Sequence, residues 1–190
     1  MKKQNLIEKE KYLNLYKDKR KYGRRNLARK RNMYEIIKSM KINSICDVGC
    51  GEGQFCDWMT KRCSIVYGLD IASVEANKVV KNDKINYINA EARNIPLLDN
   101  SVEYVTCFDC LEHCLPKDIN KILQEFYRIA TKGFILSISY KQALRKGIKG
   151  ENLHMTVRSE KWWIKQIKKI CPSIKISKVG RKKSCLLCIF

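Results

Sequence analysis

The run Ile45-Cys46-Asp47-Val48-Gly49-Cys50-Gly51-Glu52-Gly53-Gln54-Phe55 decides the fold. Its first half is apolar and short, as in a buried strand, and its second half places glycine at alternate positions before a helical pattern begins at Gln54. Glycine lets a backbone turn through positive φ and lets a ligand approach without meeting a Cβ. A loop of this kind at the carboxyl end of a strand is where open α/β sheets bind ligands. Glycine alternation by itself also suits a nucleotide-binding dehydrogenase. Asp47, immediately before the loop, makes the pattern more specific.

Outward from this run, short apolar segments alternate with helical ones. Strands are predicted at 44–48, 64–69, 85–89, 102–108 and 134–139, with helices at 54–62, 73–81 and 117–131 between them. That alternation implies a parallel sheet with both faces covered. After a further helix at 159–170 come two extended segments, 174–179 and 184–190. So short a link requires them to pair antiparallel. Before residue 42 the chain is charged with sparse apolar residues at helical spacing (Leu6, Tyr12, Leu13, Tyr16, then Leu27, Tyr34, Ile37) and a break at Gly23. It reads as two amphipathic helices, a basic N-terminal extension over 1–41 ahead of a main domain over 42–190.

The chain has 190 residues, of which 45% are apolar, enough for one core and too few for a second substrate domain. No apolar stretch is long enough to span a membrane and the first residues lack a signal-like apolar core, so a cytoplasmic protein is expected. Ten cysteines invite a disulfide reading. Several lie inside apolar runs, which favours packed reduced thiols, and the pairs Cys107/Cys110 and Cys185/Cys188 offer zinc-like spacing, although the second pair falls in a predicted strand. We expect no metal there.

The net charge of +20 is unevenly spread. Residues 1–41 carry 15 Lys/Arg against 4 Asp/Glu, residues 42–140 carry 10 against 13, and residues 141–190 carry 14 against 2. Basic flanks around a mildly acidic middle either solvate the surface or meet an anionic partner, such as RNA or DNA.

A second signal is Gly68-Leu69-Asp70-Ile71. A carboxylate at the end of the second strand, about twenty residues past the glycines, can accept from both hydroxyls of a ribose. It can equally cap the following helix. Near the fourth strand the single candidate base is His113, in Leu111-Glu112-His113-Cys114, with an ordinary pKa near 6.5 that suits proton transfer at neutral pH. A structural histidine at a helix start is the alternative.

Taken together, DVGCGEG, GLDIA and NAEARNIPLLDNSVEYVTCFDCLEH resemble the successive motifs of class I S-adenosylmethionine-dependent methyltransferases, of the group called type 11, over about three quarters of the chain. The resemblance implies an α/β, Rossmann-like, doubly wound and mostly parallel sheet closed by a C-terminal antiparallel hairpin, a feature that dehydrogenases lack. It implies that Gly49, Gly51 and Gly53 wrap the methionine end of the cofactor with Asp47 nearby, that Asp70 holds the ribose and that Ile71 packs on adenine. Glu91 and Ala92, in Ala90-Glu91-Ala92, stand where the family often has Gly-Asp-Ala, with the acid reaching the adenine amino group. Phe108 and Asp109 would face the cofactor from the other side. Residues 152–163 resemble a His-x-Thr and Glu-x-Trp-Trp pattern of some members, which places His154 at the rim of the acceptor site. The expected function is methyl transfer from S-adenosylmethionine to an acceptor, with a small molecule or glycan ahead of nucleic acid or protein. A non-catalytic binding protein that keeps the fold is the alternative.

Overall fold

The computed structural model describes residues 2–17, 34, 37–72, 79–144, 150–179 and 184–190. Its centre is a seven-stranded sheet of β1 (Ser44–Val48), β2 (Ile65–Asp70), β3 (Ile85–Asn89), β4 (Val102–Phe108), β5 (Ala130–Ile138), β6 (Lys175–Val179) and β7 (Ser184–Ile189), in the order β3-β2-β1-β4-β5-β7-β6. The first five strands run parallel. β7 inserts antiparallel between β5 and β6, so the hairpin expected from its short link closes the edge. Chain order reverses between β1 and β4, and the carboxyl ends of those two strands open a crevice.

Alternation along β1 sends its side chains to two different layers. Cys46 and Val48 join a core that includes Leu123, Phe126 and the fully buried Trp163, whereas Ile45 joins one that includes Ile37, Phe55, Met59 and Ile135. Helices α3 (Ile119–Ile129) and α4 (Glu160–Ile170) contribute to the first layer and α2 (Gln54–Met59) to the second. Ser159 caps α4 by accepting from the Trp162 amide, as its position predicts. The N-terminal helix α1 (Lys2–Lys17) brings Tyr16 to a buried position. The apolar Ile37 is buried too, so residues before 42 help build the core.

Several boundaries differ from the sequence reading. α2 ends at Met59, where the predicted helix runs to Arg62. α3 stops at Ile129, and β5 begins at the next residue instead of at Phe134. Thr131 is strand and not helix because its neighbour Ala130 already pairs with Val102 of β4. The predicted helix at 73–81 falls mostly on residues 73–78, outside the described residues. Most of the second amphipathic N-terminal helix, Gly23 included, and the basic residues 145–149 also lie outside them. No helix among the described residues is long and apolar enough to cross a membrane.

All ten cysteines are free thiols, and eight are buried. Cys185 and Cys188, three apart on a strand, fall in opposite core layers. Their sulfurs therefore lie on opposite faces of the sheet, which separates the two halves of the zinc-like spacing.

Candidate active site

The crevice between β1 and β4 widens into an open cleft. Val48, Gly49, Leu69, Asp70 and Ile71 line one side, Ala90 to Arg93 the floor, and Asp109, Cys110 and His113 the other side. Tyr12 and Tyr16 of α1 also line it.

The glycine loop is shaped by its neighbours. Gly49 and Cys50 both donate their amides to the Leu69 carbonyl, at 2.7 and 3.0 Å, which folds the loop back over β2. Gly49 and Gly53 have φ of +75° and +80°. A Cβ on Gly49 would run into the Cys110 sulfur, and one on Gly53 into the Tyr87 hydroxyl. Glycine at these two places is demanded by internal packing as well as by backbone conformation. Among the described residues, Gly51, Gly53, Asp47 and Phe108 do not form the cleft wall. Asp47, 2% exposed, instead accepts from the Thr106 hydroxyl at 2.7 Å and from the Cys56 thiol at 3.8 Å, tying β1 to β4 and α2. Phe108 packs edge-on against Phe55 beneath the loop.

Asp70 sits at the end of β2 with its carboxylate turned to the loop. Oδ2 accepts from the Gly51 amide at 3.1 Å and from the Tyr16 hydroxyl at 3.4 Å, and Oδ1 accepts from the Ala72 amide at 2.9 Å. The last contact is the turn-capping role that the sequence left open. A ligand hydroxyl can take up Oδ2 in place of Tyr16, whose bond is the longest of the three. Glu91 lines the floor, but its Oε2 is held by Arg93 Nε at 2.7 Å, and Arg93 also reaches Asp118 at 3.2 Å.

On the opposite side Asp109 has a φ of +52°, in the left-handed region that Asp tolerates better than most residues. Its amide donates to the Ser137 carbonyl and its Oδ1 accepts from the Ser137 hydroxyl. A short 3₁₀ turn at Leu111–His113 then carries His113 into the cleft. Its Nδ1 lies 3.0 Å from the Leu153 carbonyl, and its ring meets those of Tyr12 and His154 edge to face, at centroid distances of 6.0 and 4.8 Å. Burial lowers the His113 pKa to about 4, with the neighbouring His154 adding to the fall. Glu112 beside it is 1% exposed, and burial, helped by the charge of Asp109, raises its pKa to about 8.

Sequence reasoning did not single out Glu112, Arg93 or the cleft-lining role of Tyr12 and Tyr16, and it noted Cys110 only for its zinc-like spacing to Cys107. The only available signals were the adjacency of Glu112 to His113 and the one-turn spacing of the two tyrosines.

The residues fit S-adenosylmethionine. An acid at the end of β2 flanked by Ile71, Leu69, Ala90 and Ala92 offers a diol partner beside apolar walls for a planar base.

Comparison with known proteins bears on the fold that carries this cleft. A family model for a methyltransferase domain matches residues 46–138. Norajmaline N-methyltransferase of Rauvolfia serpentina is 28% identical over 156 residues, covering 77% of this chain and 50% of that protein. The chain thus spans about half the length of this curated relative. A solved Pyrococcus horikoshii protein superposes with a TM-score of 0.68 at 18% identity, covering 88% of this chain and 92% of its own. An S-adenosylmethionine-dependent methyltransferase from Mesorhizobium loti gives 0.60 at 14% identity, covering 83% and 94%. The fold is that of the class I methyltransferases. Over residues 46–138 the chain resembles the methyltransferase-domain family, and S-adenosylmethionine is the cofactor of the methyltransferases that share its fold.

Proposed function

We propose that this chain transfers the methyl group of S-adenosylmethionine to a small-molecule acceptor entering beside His113 and His154. The observation that carries the reading is the pairing, across one cleft, of a carboxylate at the end of β2 with an imidazole just past the end of β4. When bound, the cofactor supplies an electrophilic methyl group on a sulfonium. Asp70 holds the ribose, Ile71 and Ala92 flank the adenine with Glu91 at its edge, and the loop 49–53, backed by Asp47, shapes the methionine end. Phe108 supports that loop from below, and Asp109 faces the cofactor across the cleft. Correct alignment of acceptor and methyl group can by itself contribute about 7 to 11 kcal/mol.

His113 supplies the proton acceptor. A carbonyl can only accept, so the contact of Nδ1 with Leu153 assigns the ring proton to Nδ1 and leaves a lone pair on Nε2. His154 bounds the acceptor's entry. A small acceptor is supported by the N-methyltransferase relative and by the walls of the cleft, which are mostly apolar. Free, mostly buried thiols suit a cytoplasmic protein.

One observation favours a nucleic-acid acceptor as a second reading. Lys161, Lys165, Lys168 and Lys169, four of the basic residues of the 141–190 flank, are all exposed on α4. Incubating the protein with methyl-labelled cofactor and a cell extract, then fractionating the label, separates the readings. Label in the small-molecule fraction supports the first. Label in RNA or DNA would replace it with the second, and cofactor binding without any transfer would leave a non-catalytic binding protein.

A further inference from the structure

The acceptor end holds a set of groups that proton removal by one histidine does not require. Glu112 is almost fully buried, its Oε1 accepts from the Ser139 amide at 3.1 Å, and its Oε2 has no hydrogen-bond partner among the described residues. A buried acceptor left unmatched is costly, and native structures rarely keep one without a reason. Both imidazoles nearby have their Nδ1 against a backbone carbonyl, that of Leu153 for His113 and that of Lys141 for His154. Metal-binding histidines nearly always have this outer contact, which fixes the ring and presents the lone pair of the other nitrogen. Ligand-capable atoms of Glu112, His113 and His154 all lie within 4.8 Å of one another, the one such group among the described residues.

The group is also held rigidly, although it draws on segments far apart in sequence. The Glu112 carbonyl accepts from the amides of Met155 and Thr156, at 2.8 and 3.0 Å, and the Thr156 hydroxyl donates to the Cys114 carbonyl at 2.7 Å. The 3₁₀ turn and residues 153–156 therefore form one unit, and the ligand set does not depend on a loop closing.

We propose that Glu112, His113 and His154 bind one divalent transition-metal ion of the zinc class. Two imidazoles with one carboxylate suit such an ion, whereas magnesium and calcium prefer all-oxygen sets. Three protein ligands leave a coordination position for a small molecule, as in sites where zinc meets a substrate. Because His113 also lines the cleft, the ion stands at the acceptor's door. Its occupancy commits the His113 lone pair, so the ion and a proton compete for one nitrogen.

The test is a titration of the whole chain, stripped by a chelator and free of S-adenosylmethionine, with zinc by calorimetry and with cobalt by visible absorption. One ion per chain is expected. His154→Ala, at a partly exposed position, and Glu112→Gln, which keeps the side-chain shape, should each weaken binding by at least about tenfold, while Cys110→Ser should not. No binding, binding indifferent to both substitutions, or a cobalt spectrum dominated by a thiolate charge-transfer band that Cys110→Ser abolishes would each overturn the proposal. Cofactor affinity measured separately keeps the two readings apart. Metal binding without cofactor binding would overturn the methyltransferase reading and uphold this one.

Discussion

The two ends of the cleft are made of different material. The end proposed for the cofactor is mostly backbone, a tight loop whose amides reach the Leu69 carbonyl and the Asp70 carboxylate, with glycine where a neighbouring side chain leaves no room. At the acceptor end, side chains from the 3₁₀ turn are joined to a segment 40 residues further along the chain. The first kind of site is specified locally and tolerates change poorly. In the second, individual groups can be exchanged while the frame remains, which suits an end that must differ from one acceptor to another.

Substitution at His113 should separate the two ends most sharply. His113→Ala is expected to lower turnover by about 10²-fold, the low end for a positioned base because burial makes this imidazole weakly basic, with cofactor affinity unchanged. Single-turnover rates alongside calorimetry would show it, and a parallel loss of cofactor affinity would mean that the ends are not separable. The converse change is Asp70→Ala. Loss of two hydrogen bonds to a charged group, about 1.5 to 3 kcal/mol each, should weaken cofactor binding by at least tenfold while saturated turnover stays close to normal. A sharp fall in melting temperature with unchanged affinity would instead make Asp70 a turn cap.

Gly53→Ala probes the backbone character of the cofactor end. The substitution forces a side chain into positive φ against Tyr87, and a loss of about 1 to 3 kcal/mol in urea-unfolding stability is expected. A neutral result would show that the loop readily gives way. The smallest effect concerns the thiols that sit at both ends. With all ten cysteines free, a reductant should move stability by less than about 0.5 kcal/mol, and a larger shift would reveal a disulfide.

The same contrast explains what could be read in advance. Strand-to-loop-to-helix order, the glycine loop and Asp70 all leave short-range patterns, and the family resemblance follows from them. β5 starts ahead of its expected position because Ala130 and Thr131 continue a helical pattern that pairing with β4 overrides. The burial of Glu112 was invisible because a charged residue beside a histidine looks solvated until residues 139 and 153–156 fold over it. Asp47 was placed near the cofactor by analogy, and its hydrogen bonds to Thr106 and Cys56 depend on strand register, which no local pattern records.

The tyrosines of α1 carry a consequence of their own. Tyr16 touches the carboxylate at one end of the cleft and Tyr12 the imidazole at the other, and they stand four residues apart, about 6 Å along the helix axis. One helical turn thus acts as a ruler laid across the gap between Asp70 and His113. Inserting a single residue between the two tyrosines would swing one of them about 100° around the axis and take it off its mark. The spacing between Asp70 and His113 would then lose its gauge, although both residues would still be in place.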